Sequence, residues 1–243
     1  MRLGIGTYAF ARTIAAGRMG ADDLLRWASD HGAEAVQCCE NLPWHSGLNA
    51  PNGLTVETGL RGIGDELLVH LAWAQEHGSG FVRLVIDRGD DEPSPQEAVE
   101  RLRPYAARYR NADVTLAIEN HDRYPAAILR GMVEELGCGV VLDTANSLGC
   151  LEGTETVVET LAPYVVNLHA KDVRAVRKPD MLGFDVVGAP LGEGGIDWAG
   201  VIKRLPRVVS VTLEQWVPDG PGALELEREW ATRGLQELKE IAR

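Results

Sequence analysis

The stretch Val114-Thr-Leu-Ala-Ile-Glu119-Asn-His-Asp-Arg123 reads as a strand that breaks off at a carboxylate and runs into four polar residues. Side chains alternate along a strand, so Glu119, Ala117 and Thr115 share one side while Ile118, Leu116 and Val114 face an apolar layer on the other. Three later stretches, Gly139-Val-Val-Leu-Asp143, Val165-Val-Asn-Leu-His169 and Ser210-Val-Thr-Leu-Glu214, repeat the design. Each ends in a residue type that binds metal ions. The intervals of 24, 26 and 45 residues fit one strand-helix repeat, a second, and a third that carries a long inserted loop. Four candidate ligands, Glu119, Asp143, His169 and Glu214, converge if these strands lie side by side.

On the amino-terminal side, Arg2 to Tyr8 is a first strand, followed by a loop from Ala9 to Gly20 and a helix from about Ala21 to His31. Gly4-x-Gly6-x-x-Ala9 imitates a dinucleotide fingerprint but lacks the full strand before it and the helix straight after it. Glu34 to Cys39 is a second strand. The segment Glu40 to Asn52 holds Pro43, Gly47 and Pro51 and is too broken for a regular helix. Gly53 to Glu57 and Phe81 to Ile86 are the third and fourth strands, with a helix from Ile63 to Glu76 between them that spaces Leu67, Leu68, Leu71 and Ala72 helically. Ser94-Pro95 opens a helix in the N-cap and first-turn pattern that runs to about Arg110. After the opening stretch, helices run from Pro125 to near Gly137 and from about Asn146 to Leu161. Lys171 to Gly195 is a long loop, Asp197 to Arg204 a short helix, and Ala223 to Ala242 a closing helix. Eight strands alternating with about seven helices predict an α/β fold, a single-domain (β/α)8 barrel over residues 1–243 with a poorly formed helix after the second strand. A doubly wound open sheet is the rival, since periodicity alone does not separate the two.

A chain of 243 residues with 45% hydrophobic content can bury the core of one such barrel. The net charge of −12 argues against a nucleic-acid partner, whose binding draws on clustered Lys and Arg. No uncharged apolar run is long enough to span a membrane, and Met1-Arg-Leu-Gly enters a strand directly instead of a basic and then apolar leader, so a cytoplasmic location is expected. The four cysteines, Cys38, Cys39, Cys138 and Cys150, form no C-x-x-C pair and read as buried or bystander thiols.

In a parallel barrel the reactive groups sit at the carboxyl ends of the strands, where Glu119, Asp143, His169 and Glu214 all fall. Three carboxylates and an imidazole suit one divalent ion that prefers oxygen and nitrogen: Mn²⁺ first, with Mg²⁺, Co²⁺ or Zn²⁺ as alternatives. Packed at one rim without a cation, the carboxylates repel one another. Ordinary strand-end polar groups capped by lysines are the bland alternative. The chain here resembles the sugar phosphate isomerase/epimerase superfamily of xylose isomerase-like TIM barrels, which includes ketose 3-epimerases, hydroxypyruvate isomerases, inosose dehydratases, dehydroshikimate dehydratases and endonuclease IV. The resemblance is carried by Ile-Glu119-Asn, Leu-Asp143-Thr-Ala-Asn146, His169-Ala-Lys171-Asp172, Pro190-Leu-Gly-Glu-Gly194 followed by Ile196-Asp197, and Thr-Leu-Glu214. It implies that Glu119, Asp143, His169 and Glu214 hold the metal and that Glu119 and Glu214 are also the catalytic groups that move protons at the substrate carbon.

The implied reaction is isomerisation or epimerisation of a keto-sugar or cyclitol by proton abstraction next to a carbonyl, through an enediolate stabilised by the ion. A lyase that expels a leaving group from the same enediolate is the runner-up, and a non-catalytic barrel that binds sugars or a partner subunit is a third reading. Asn146 stands where many epimerase-like relatives have a histidine, and an amide cannot ionise near neutral pH, which weakens the simple epimerase reading. The expected partner is a small polyhydroxylated carbonyl substrate, and the sequence leaves the subunit count, including a homo-oligomer, open. Lys171, Asn146, His121, Arg123, Trp44 and His45 are the candidate substrate contacts. For His121 and Arg123 a capped loop is an equal alternative, and for Trp44-His45 so is an exposed cover for the missing helix. Asp172 and Arg174 are read as pairing with each other or with the long loop. Gly192-Glu193-Gly194-Gly195 imitates a phosphate cradle, but Glu193 would repel an anion, and a lid or tight turn is the preferred reading.

Overall fold

In a computed structural model, residues 1–42 and 49–242 are described; Trp44 and His45 lie outside them. Eight parallel strands close into a barrel: β1 (Arg2–Gly6), β2 (Ala35–Cys38), β3 (Thr55–Arg61), β4 (Phe81–Val85), β5 (Thr115–Glu119), β6 (Gly139–Asp143), β7 (Val165–Ala170) and β10 (Ser210–Leu213). The last of these pairs with both β7 and β1, so the sheet has no free edge and the open-sheet rival is excluded. Short α1 (Ala11–Ala15) and then α2 (Ala21–Asp30) follow β1, while α3 (Glu66–His77), α4 (Pro95–Asn111), α5 (Ala126–Leu136), α6 (Thr154–Leu161), α7 (Trp198–Lys203) and α8 (Ala223–Ile241) complete the outer layer. Between β2 and β3 the described residues contain no helix, as the prolines there predict.

The alternation read from the sequence is what fills both sides of the wall. Ile118, Leu116, Val140, Leu142, Leu168, Val211 and Leu213 are buried in the apolar layer between strands and helices. Inside the barrel, Phe81, Ala117 and Val141 form a small second cluster. Above and beside it the interior is polar: Gln37, Glu57, Arg83, Asn167, Ser210 and Thr212 are all buried. Such a core is stable only where its polar atoms find one another.

Four segments depart from expectation. The third strand runs to Arg61 and not to Glu57, so Glu57 is a fully buried mid-strand group and Arg61 takes the strand end. The loop after the first strand contains a 3-10 turn at Thr7–Phe10 and α1. The helix expected from Asn146 is a 3-10 turn, Asn146–Cys150, which stops at Leu151 in a left-handed conformation (φ 60°) before α6 begins. The long loop after β7 is folded: β8 (Val173–Arg177) and β9 (Phe184–Gly188) pair as an antiparallel hairpin. Its alternating pattern of Val176 with Arg177 and Phe184 with Asp185 exposes both faces, so neither face carries the apolar signature that marks a packed strand.

Packing of α3 on β3 buries a titratable histidine, His70, whose Nδ1 lies 2.7 Å from Thr58 Oγ1. Burial pushes the His70 pKa down to about 4, against weaker upward pulls from Glu40 and Glu66. A histidine whose folded pKa lies below its unfolded value of about 6.5 leaves stability intact above pH 6.5 and removes it as pH falls toward 4. Acidification from about pH 7 to 5 is expected to cost about 2 kcal/mol through this group. Urea unfolding at several pH values, in wild type and in His70→Gln, measures the effect, and equal pH slopes in the two proteins would count against it.

Candidate active site

Register brings the strand-end side chains together. Asp143 lies beside His169 and His169 beside Thr212, with Glu214 two residues on, directly past the end of β10. Gly6 leaves the space that Glu214 needs, since a Cβ there would stand 3.2 Å from Glu214 Oε1. Glu119, Asp143, His169 and Glu214 are all buried, and Glu119, Asp143 and His169 offer ligand atoms within 4.8 Å of one another. The His169 Nδ1 atom lies 3.6 Å from Glu119 Oε2, 3.9 Å from Asp143 Oδ2 and 3.5 Å from Glu214 Oε1.

Asp143 and His169 are held from behind. Asp143 Oδ1 accepts from the backbone N–H groups of Ala145 (2.7 Å) and Asn146 (2.8 Å), which leaves Oδ2 facing the cluster. Asn120 ties the ends of β5 and β6 together, accepting from Asp143 N and donating to Asp143 O. The Nε2 atom of His169 meets Gln37 Oε1 at 2.6 Å. Neither His169 Nδ1 nor Glu214 Oε1 makes a hydrogen bond to the described residues. A buried imidazole nitrogen and a buried carboxylate oxygen without partners, facing two further carboxylates, match the donor set of a divalent cation.

Cations of the chain itself crowd the same space. Lys171 Nζ is 2.8 Å from Asp143 Oδ2 and 3.1 Å from Glu214 Oε2. Burial pulls the Lys171 pKa down, but Asp143, Glu214 and Glu119 outweigh it and hold the ammonium protonated. Arg83, in the middle of β4, donates through Nε to Glu119 and through Nη1 to Glu40 at 2.7 Å. Asn146 Nδ2 donates to the other Glu119 oxygen at 2.8 Å. Burial alone would lift the Glu119 pKa; Arg83, His169 and Lys171 together hold it well below the usual carboxylate range.

Above the cluster opens a cavity of about 350 Å³ lined by Tyr8, Arg61, Arg83, Glu119, His121, Asn146, Lys171, Glu214 and Trp216, among others. That volume suits a small polar ligand. Of the candidate substrate contacts, Lys171, Asn146 and His121 reach it. His121 Nδ1 lies 2.5 Å from Asp122 Oδ1, and its Nε2 lies 3.0 Å from Arg61 Nη2. Arg123 does not line the cavity; it pairs with Glu92 and stands 5.9 Å over the Tyr124 ring, so the capped-loop alternative describes it. Among the described residues, Tyr8 and Trp216 bring aromatic rings to the cavity, with Lys171 Nζ 5.2 Å from the Trp216 ring.

Arg83, Gln37, Arg61 and Trp216 went unread in the sequence. A signal existed for two of them, because Arg83 and Gln37 are polar residues set inside otherwise apolar strands. Of its two expected partners, Arg174 and the long loop, Asp172 takes the loop. Its carboxylate accepts from Val173 N (2.9 Å), Gly192 N (2.9 Å), Gly194 N (3.1 Å) and Trp198 Nε1 (3.1 Å). The glycine-rich motif is therefore a tight turn closed on Asp172 and not a phosphate cradle. A Cβ at Gly194 would come within 1.9 Å of Asp172 Oδ1.

The family profile described as xylose isomerase-like TIM barrel matches residues 7–241, and the chain belongs to this family. It is similar to the 3-oxo-isoapionate decarboxylase of Pectobacterium atrosepticum, 26% identical over 98% of this chain and 95% of that protein. Among solved structures, the IOLI protein with a binding zinc atom shares the fold at a TM-score of 0.70, with 15% identity over 100% of this chain and 96% of that one. The D-psicose 3-epimerase with D-tagatose from Clostridium cellulolyticum H10 shares it at 0.66, with 15% identity over 100% and 98%.

Proposed function

We propose that the protein is a divalent-metal-dependent lyase that decarboxylates a small 3-oxo sugar acid, and the observation that carries this reading is the state of Glu119. Both of its oxygens are engaged, one by Arg83 and one by Asn146. A carboxylate so held is a poor base, and loss of CO₂ needs no base. Glu119, Asp143, His169 and Glu214 would hold the ion, which when bound would supply Lewis-acid stabilisation of the charge developing on the substrate's carbonyl oxygen.

The chain's own groups do the rest. The bond between the carboxyl carbon and the α-carbon breaks, its electron pair moves toward the β-carbonyl, CO₂ leaves and the α-carbon takes up a proton. Lys171 carries a proton on Nζ at the cavity wall and is the candidate donor. Tyr8 and Trp216 give the sugar apolar faces, and Arg61, held by Asp87 at 3.1 Å, stands at the rim for a hydroxyl or the departing carboxylate. A relative that aligns over 98% of this chain is a 3-oxo-isoapionate decarboxylase, which supports the reading.

A second reading, isomerisation or epimerisation of a neutral keto-sugar or cyclitol, is favoured by the placement of Glu119 and Glu214 around the same imidazole nitrogen. Mn²⁺ remains the first choice of ion, with Zn²⁺, Mg²⁺ and Co²⁺ behind it. The four cysteines are free thiols, which supports a reducing, cytoplasmic setting. No helix among the described residues is long and apolar enough to cross a membrane. A homo-oligomer stays part of the proposal, supported by Met181, Leu182, Phe184 and Val186, exposed on the hairpin of β8 and β9 and on the turn that joins its strands.

Incubating the Mn²⁺-loaded protein in D₂O with a panel of 3-oxo sugar acids and of neutral keto-sugars tests this. CO₂ release with one solvent deuteron in the product is the expected result. Deuterium incorporation without loss of mass would establish the isomerase or epimerase instead, and inertness toward every member would favour a binding protein.

A further inference from the structure

A chain of amides and one carboxylate runs through the barrel interior beneath the ligand cluster, and neither Gln37, Glu57 nor Asn167 lines the cavity. Its direction is fixed from one end. Asn167 Nδ2 lies 3.1 Å from the Ser210 carbonyl oxygen, a group that can only accept, so nitrogen is the donor there and Oδ1 is the atom turned toward Gln37. Gln37 Nε2 lies 3.3 Å from that Asn167 oxygen and 3.4 Å from Glu57 Oε2. With both amide protons directed at acceptors, the Gln37 oxygen is the end that meets His169 Nε2, at 2.6 Å. An oxygen with no proton of its own at this distance calls for a proton on Nε2, so in the neutral ring the lone pair is on Nδ1, which faces the three carboxylates. All four side chains, Asn167, Gln37, Glu57 and His169, are completely buried, so bulk water cannot scramble the arrangement.

We propose that Gln37 is a positioning residue that, oriented by Glu57 and Asn167, locks His169 in the Nε2–H tautomer and aims Nδ1 at a divalent cation. A histidine free to choose would place its proton on either nitrogen, and the form protonated on Nδ1 cannot bind from that side. The lock acts on the ring itself and so precedes ion binding; its value for affinity rests on the proposed metal site. Its interest lies in an interposed amide: the carboxylate Glu57 acts on the ligand through Gln37, where a histidine ligand would ordinarily meet its outer partner directly.

The test is nitrogen-15 NMR of histidine-labelled, metal-free protein, with the His169 signals assigned through His169→Gln, followed by calorimetric titration with Mn²⁺ and Zn²⁺. Wild type is expected to carry the His169 proton on Nε2. In Gln37→Met, similar in size but unable to accept that hydrogen bond, the tautomers should mix, and affinity for both ions should fall roughly 10–100-fold. A neutral wild-type ring with its proton on Nδ1 overturns the proposal, and this reading needs no variant, so it stands even if Gln37→Met fails to fold. Unchanged affinity in a folded Gln37→Met overturns it as well. A wild type with the Nε2 proton that takes up neither ion removes the metal site and with it the role of the lock, a failure distinct from a wrong tautomer.

Discussion

Asp143→Asn is expected to abolish specific uptake of a divalent ion, lowering affinity by more than the roughly 10–100-fold that loss of an outer partner costs. The substitution separates folding from binding. Asp143 Oδ1 accepts from Ala145 N and Asn146 N, and an asparagine oxygen can keep both bonds. The other end then becomes an NH₂ group facing His169 Nδ1, a donor where a ligand is required. Metal content of wild type purified without chelator should be about one ion per chain. In the variant it should be near background, with far-ultraviolet circular dichroism unchanged. Saturating Mn²⁺ should raise the melting temperature of wild type and leave that of the variant in place, because only an ion that binds the folded state stabilises it. A variant that binds Mn²⁺ as tightly as wild type would show that the cluster does not hold the ion through Asp143.

The barrel and the convergence of Glu119, Asp143, His169 and Glu214 were legible because both follow from period-two patterning, which fixes the face of every residue once one is placed. Strand ends were legible only where polarity changed abruptly. At Glu119 and Asp143 it did; at Glu57 a charged residue looked like an end and is instead a buried mid-strand group, with the strand continuing through Thr-Gly-Leu-Arg61. Burial pushes the Glu57 carboxyl up, while Ser210, Arg2 and Gln37 pull it back, a compensation no local pattern announces. The β8–β9 hairpin was illegible for the opposite reason. Both of its faces meet solvent, so its sequence has no apolar period to read. Arg123 and His121 show the limit within one loop: only two residues apart, one turns to Glu92 and the other to the cavity. Partner choice among several nearby charges is a tertiary decision.

Arg83→Met is expected to destabilise the protein by about 3–5 kcal/mol, the scale on which a buried ion pair responds to loss of one partner. Among the described residues Arg83 is the Lys or Arg side chain that pairs directly with Glu119; Lys171 also lowers the Glu119 pKa, but its ammonium is paired with Asp143 and Glu214. Arg83 and Glu119 are both nearly inaccessible, at 3% and 2% side-chain exposure, and the Arg83 guanidinium spans from Glu119 to Glu40. Methionine fills much of the volume, so packing loss is small and the penalty reports on the uncompensated carboxylate. The same reasoning makes the loss conditional. A divalent ion gathered by Glu119 and its neighbours would supply the missing positive charge, so saturating Mn²⁺ should recover a larger share of stability in Arg83→Met than it adds to wild type. Denaturant unfolding of both proteins with and without Mn²⁺ measures this difference. Equal gains would mean that Glu119 and the ion do not interact, which would remove one of the four ligands and leave Asp143, His169 and Glu214 to carry the site. The variant also probes the reaction: freed from Arg83, Glu119 becomes a stronger base, and exchange of the substrate's α-proton should rise relative to CO₂ release if the guanidinium is what restrains that chemistry.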